Sequence, residues 1–286
     1  MMQYDLLIAG IAIRLIYSKK ISIEPYAASS FWANSKEMDI VLHIDTVQKL
    51  EKMSMPYVNI KTSAWEMMKD KNGMFYNIFN QGCIKAILFI AYDYTECMLK
   101  ILEDELHDII PPLHIMYPIL SGFLLKKNQG FFFHGSFVKI GEKGIVLTGE
   151  SGVGKSTLSE LIKTNGFEKF GDDRLILTLD SQEKFVLCHS TPFDLKLSNW
   201  VNISYRVDAI LCLMHSSNGS NCLDKQNMNK EMGHLILMNF LPLFMEDNLA
   251  KHFNLCERLL SGISLYNYSF VPDNTSVKYL LDSLCG

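Results

Sequence analysis

The chain has 286 residues, 48% of them hydrophobic and 20% charged, which amounts to about two domains at ~150 residues each with ordinary globular composition. That excludes a disordered tail, a collagen-like fibre and a coiled-coil rod. Lysine and arginine number 27 against 31 acidic residues, a formal net charge of -4, which gives no electrostatic reason to expect nucleic acid as a partner.

In chain order, residues 6–16 are the one stretch that could mimic a targeting signal. Asp5 precedes it, Arg14 interrupts it, and it is shorter than the ~20 apolar residues of a membrane span, so no membrane partner is expected. Ile11, Ile13 and Leu15 alternate, which predicts a half-buried strand over 10–17. Further strands are expected at 39–44, 57–61 and 84–92. A hairpin turn is expected at 71–74, where Asn72-Gly73 would supply two positive φ angles. Met98, Ile101, Leu102, Leu106 and Ile109 have helical spacing, which predicts a helix over 96–109. Pro111-Pro112 breaks the chain, and an apolar helix resumes over 113–125, which Pro118 should end or kink. Lys126, Lys127, Asn128 and Gly130 form its C-terminal stop.

From Gly130 onward strands alternate with helices. Strands are expected at 131–139 and 145–148 around a turn at 141–144, then a helix at 155–164. Strands follow at 175–179, 185–188, 209–214, 235–238 and 265–270, and a helix at 277–284 closes the chain. Residues 225–230 are expected as a polar loop. The organisation is therefore a β-rich N-terminal domain at 1–95, a helical connection at 96–130 and a nucleotide-type α/β domain at 131–286. The seven cysteines are scattered without CxxC spacing, as expected of reduced thiols in a cytoplasmic protein.

Gly149-Glu150-Ser151-Gly152-Val153-Gly154-Lys155-Ser156 fits G-x-x-x-x-G-K-[ST] in full, between an expected strand and an expected helix. In this pattern glycines let successive backbone N–H groups converge on phosphate oxygens, and a helix N-terminus adds partial positive charge. Lys155 would reach the β- and γ-phosphates of ATP, and the Ser156 hydroxyl would ligate Mg²⁺, with Thr157 next in the binding stretch. Gly171-Asp172-Asp173-Arg174 starts 22 residues after the first loop glycine. One carboxylate at the end of a neighbouring strand can hold Mg²⁺, and a second can take the proton of an attacking hydroxyl. In a straight strand Asp172 and Asp173 point to opposite faces, so the pair is expected to divide these roles, with Asp172 taken as the metal ligand. His134 is the third candidate. Pairing around the 141–144 turn makes residue numbers sum to about 285, which places His134 across from Glu150 and Ser151, to within a residue or two, at the loop's mouth. No other histidines have ligand spacing.

Together, Phe133-His134-Gly135-Ser136, the 149–156 loop and Gly171-Asp172-Asp173-Arg174 resemble the HPr kinase/phosphorylase superfamily, with closest likeness to the HPr-kinase-like enzymes that phosphorylate lasso-peptide precursors. Ser190-Thr191-Pro192-Phe193 and Phe270-Val271-Pro272-Asp273 resemble further blocks of that subgroup. The resemblance covers about residues 113–286. It implies an α/β P-loop kinase domain of the phosphoenolpyruvate-carboxykinase-like type, with His134, Lys155, Asp172 and Asp173 catalytic and Ser156 on Mg²⁺. Thr157 stands where HPr kinases usually carry a glutamate, and Asp194 is the nearest acidic substitute for their later metal-binding glutamate.

The expected function is an ATP-dependent kinase acting on a Ser/Thr hydroxyl of a peptide or small protein, such as a ribosomally made precursor, with homo-oligomers possible. The alternatives are a nucleotide-gated binding module that transfers nothing, and a small-metabolite kinase.

Overall fold

The computed structural model describes residues 2–20, 29–54, 60–107, 109–193, 201–227, 235 and 248–285. It is a mixed α/β structure in two compact units, one built from the described residues through Lys127 and one from those that follow.

The first unit holds an eight-stranded sheet in the order β1-β2-β3-β8-β7-β6-β5-β4. Its strands are β1 (Met2–Ile8), β2 (Ile11–Tyr17), β3 (Ile40–Val47), β4 (Ile60–Lys61), β5 (Trp65–Lys69), β6 (Gly73–Asn80), β7 (Cys83–Ala91) and β8 (Glu96–Leu102). β1 and β2 form a hairpin whose two-residue turn, Ala9-Gly10, has φ of 51° and 81°. The apolar run over 6–16 is therefore the end of one strand, a turn and most of a second. Gln81-Gly82 makes the same turn between β6 and β7, with φ of 50° and 77°. Both follow the right-handed twist of their strands.

The Asn72-Gly73 turn is built differently from expectation. Neither residue has positive φ. Instead the Asp70 carboxylate accepts hydrogen bonds from the backbone N–H groups of Asn72 (2.7 Å) and Gly73 (3.0 Å), an Asx turn. Gly73 is needed for space: a Cβ there would press on the Ile90 carbonyl oxygen and lie 2.7 Å from the Phe89 ring.

The helix expected over 96–109 is not formed. Glu96–Leu102 is strand β8, parallel to β3 and antiparallel to β7, so the expected helical connection begins as a strand. Cys97, Leu99 and Ile101 are buried while Met98 is 55% exposed. The segment carries a period of two as well as helical spacing, and two available partner strands decide between them. Helix α1 (Leu113–Lys126) runs through Pro118 without ending. Residues 118–125 are all buried, and that burial offsets the ~3 kcal/mol a mid-helix proline costs. Its left-handed terminating residue is Asn128 (φ 55°), not Gly130, which opens the next strand.

The second unit holds another eight-stranded sheet, in the order β13-β12-β11-β9-β10-β14-β16-β15. Its strands are β9 (Gly130–Ile140), β10 (Lys143–Thr148), β11 (Glu168–Leu179), β12 (Val186–His189), β13 (Ser204–Arg206), β14 (Ala209–His215), β15 (Cys222–Gln226) and β16 (Ser264–Phe270). The helices are α2 (Lys155–Thr164), α3 (Asn248–Leu260) and α4 (Asn274–Cys285). β10, β14 and β16 are parallel, and the other pairings are antiparallel. Val138, Leu147, Leu158, Ile162, Leu211 and Leu280 belong to one buried cluster that joins strands to α2 and α4.

The β9–β10 turn is two residues, Gly141-Glu142, with only Gly141 at positive φ. Paired numbers therefore sum to 283, two less than the longer turn implied. Of the loop expected over 225–230, Lys225 and Gln226 end edge strand β15, and residues 228–230 lie outside the described residues. The strand expected over 235–238 and the acidic Asp194 lie outside the described residues, except that Leu235 has helical backbone.

Candidate active site

All three sequence motifs meet in the second unit, at the carboxyl end of β10, where ligands of sheets with parallel strands are commonly bound. The loop from Gly149 leads from β10 into α2, whose first residue is Lys155. Gly149, Gly152 and Gly154 all have positive φ, at 143°, 84° and 101°, a curl that side-chain-bearing residues resist. A Cβ on Gly154 would lie 2.8 Å from the Phe270 ring, while one on Gly152 would meet nothing within 4 Å. The loop thus rests on Phe270 at one glycine and is open at another. Val153 is buried; Glu150, Ser151 and Thr157 are exposed.

Inside this curl the Lys155 ammonium donates to the carbonyl oxygens of Gly149 (2.8 Å) and Glu150 (2.9 Å). Burial pushes its pKa down, partly offset by the charges of Asp173 and Asp172. A cation held only by neutral carbonyls, in reach of two carboxylates, is suited to exchange those oxygens for phosphate oxygens.

β11 carries the aspartates. Its register against β9 puts Ser136 opposite Asp172 and His134 opposite Arg174. Asp172 is 3% exposed; its Oδ1 accepts from the Ser136 hydroxyl (2.5 Å) and its Oδ2 from Lys169 Nζ (3.2 Å). Burial pushes the Asp172 pKa up, but hydrogen bonds from Ser136 and Ser156 and the Lys169 charge outweigh it and hold the carboxyl below its usual value.

Asp173 belongs to a separate set. Its backbone is left-handed, φ 80°, an uncommon state for a non-glycine residue. Its Oδ1 lies 2.5 Å from Arg174 Nη1 and 2.9 Å from His134 Nδ1, and those two nitrogens are 2.9 Å apart. A guanidinium only donates, so His134 accepts from Arg174 when its proton is on Nε2 and donates to Asp173 when it is on Nδ1; the triangle supports either tautomer. The Thr148 hydroxyl donates to the His134 carbonyl oxygen (3.0 Å), tying β9 to β10 past their last paired residues. The Thr191 hydroxyl donates to the Arg174 carbonyl oxygen (2.8 Å), fixing the chain after β12 beside the triangle.

No family model and no curated protein matches the sequence. Among solved structures, the chain is similar to the HPr(Ser) kinase/phosphatase of Coxiella burnetii at 14% identity and a TM-score of 0.31, covering 52% of this chain and 90% of that one. At that level of likeness the chemistry of the site rests on its own geometry.

That geometry brings Asp172 to Ser136 and Lys169 and Asp173 to His134 and Arg174, with the Lys155 ammonium held by loop carbonyls and close enough for both carboxylates to raise its pKa. Extended by two residues, the β9–β10 ladder sets His134 level with Gly149, within the residue or two expected of Glu150 and Ser151. Sequence reasoning gave Ser136, Lys169 and Glu160 no role. Ser136 was recoverable, because it sits two residues from His134 on the same strand face. Among the described residues no three His, Cys, Asp or Glu side chains gather into a metal-binding group, and no helix is long and apolar enough to cross a membrane.

Proposed function

We propose that this protein is a kinase that transfers the γ-phosphoryl group of ATP to a serine or threonine hydroxyl of a peptide or small protein. The observation that carries the reading is the division of two adjacent carboxylates, Asp172 enclosed by Ser136 and Lys169 with its pKa lowered in part by Ser156, and Asp173 against His134 and Arg174, beside a loop curled by three left-handed glycines. Phosphoryl transfer asks a protein for positioning and charge stabilisation, and these groups supply both.

The donor set suits Mg²⁺·ATP. Ser156 and Asp172 offer hard oxygen ligands, and Mg²⁺ is commonly bound through one or two carboxylates together with phosphate oxygens. Bound there, Mg²⁺·ATP would supply the phosphoryl group, and the metal's charge would stabilise the negative charge that develops on the departing ADP. The loop's N–H groups and the α2 N-terminus hold phosphate oxygens. Lys155 neutralises the transferring group. Asp173 takes the acceptor's hydroxyl proton at Oδ, and His134 and Arg174 hold that carboxylate in line. The side chain of Asp173 is 48% exposed, so an acceptor carried on a larger chain can reach it. Resemblance of the Ser190–Phe193 and Phe270–Asp273 blocks to the lasso-peptide subgroup favours a ribosomally made precursor peptide, in the cytoplasm.

Mass spectrometry of serine- and threonine-containing candidate peptides after incubation with ATP and Mg²⁺ tests this. The wild type should add a phosphate and Lys155→Ala should add none. Nucleotide binding without any phosphorylated peptide would instead support a nucleotide-gated binding module.

A further inference from the structure

Lys169 is a lysine in an unusual place: its side chain is 3% exposed, with Nζ 3.2 Å from Asp172 Oδ2 and 2.7 Å from Glu160 Oε1. Residues three apart on a regular strand face opposite sides of the sheet. Here Lys169 pairs with Val138 and Gly171 with Phe137, which leaves Phe170 as an extra, unpaired residue. This bulge inverts the alternation and turns the Lys169 ammonium to the same side as the Asp172 carboxylate. Bulges of this kind re-aim side chains next to active sites.

The result is a carboxylate satisfied without any metal. Ser136 fills one oxygen of Asp172, and Lys169 fills the other and neutralises its charge. A divalent ion on Asp172 would meet that ammonium at close range, and two cations on one carboxylate oxygen repel. Lys169 has somewhere else to go. Glu160 lies one turn beyond Ser156 on α2, is 53% exposed, and already makes the shorter contact.

We propose that Lys169 is a resting counter-ion that occupies Asp172 until Mg²⁺ arrives with nucleotide and then shifts onto Glu160, so that metal affinity at this site is set by competition with a built-in ammonium. This rests on the nucleotide-binding reading above. It assigns Lys169 and Glu160 as positioning residues and gives the Phe170 bulge its purpose.

Calorimetric affinity for ADP, measured with and without Mg²⁺ at about pH 8, gives the tightening due to the metal. Lys169→Met leaves Asp172 uncompensated and should enlarge that tightening at least about fivefold, the lower end of ordinary coupling between sites. Glu160→Gln removes the lysine's alternative partner and should shrink it by a similar factor. The two variants must move in opposite directions. Glu160 is a surface residue, so Glu160→Gln carries the test even where Lys169→Met unfolds. Tightening that is unchanged in Glu160→Gln, or that shifts the same way in both variants, overturns the counter-ion role and leaves the kinase reading intact. Failure of the wild type to bind ADP at all overturns both.

Discussion

His252 on α3 and His189 at the end of β12 are neutral residues in dry surroundings. His252 is 1% exposed and sits edge-on to Phe131 at 5.4 Å, and neither ring nitrogen has a hydrogen-bond partner among the described residues. His189 Nε2 makes one contact, with the Thr178 hydroxyl at 2.8 Å. Burial pushes both pKa values down from 6.5 to about 4. Between those values the unfolded chain holds protons that the folded chain does not. The second unit should therefore lose stability as pH falls from 6.5 towards 4, by up to ~1.4 kcal/mol per pH unit per ring. His252→Phe removes one ring's share and two unpartnered polar atoms. Urea unfolding at about pH 7 and about pH 5 should show a smaller loss in the variant than in the wild type; equal losses would mean that His252 is not buried in its neutral form. Nothing in the spacing of His252 marks it in the sequence, because a histidine on an apolar helix face looks the same whether its nitrogens are satisfied or not.

Elements were legible wherever one pattern had no rival. The β10–loop–α2 unit is one such case, since its glycines, lysine and flanking apolar runs admit a single arrangement, and α2 spans the expected residues. β8 is the opposite case. Its apolar residues satisfy two periods at once, and only the neighbouring β3 and β7 select the strand. Edge strands β13 and β15 are short and largely exposed, and so lack the buried alternation that reveals a strand. Glycines show the same split. Asn72-Gly73 carries the sequence mark of a primed turn, yet Gly73 is there to make room. Gly73→Ala should therefore cost about 1–3 kcal/mol by overpacking against the Ile90 backbone. Gly82→Ala has free space but a φ of 77° and should cost only about 1 kcal/mol. Denaturant midpoints would rank the two; the reverse order would show that backbone strain outweighs packing in this sheet.

At the scale of the whole molecule, every candidate catalytic group lies in the second unit, on β9, the 149–156 loop, α2 and β11. The motif spacings foretold that gathering. They did not foretell how the aspartates divide, because the division depends on two backbone irregularities, the Phe170 bulge and the left-handed Asp173. A straight strand would have given opposite faces by alternation alone; this one gives separate partner sets, with Asp172 enclosed and Asp173 half open. The account stands on that asymmetry. Its most direct test is nucleotide affinity and phosphoryl transfer measured on one preparation of Asp173→Asn. The asparagine keeps shape and loses basicity, so ADP should bind with Mg²⁺ as in the wild type while phosphopeptide formation falls by at least about a hundredfold, the lower range for general-base removal. Undiminished transfer by Asp173→Asn would contradict the account.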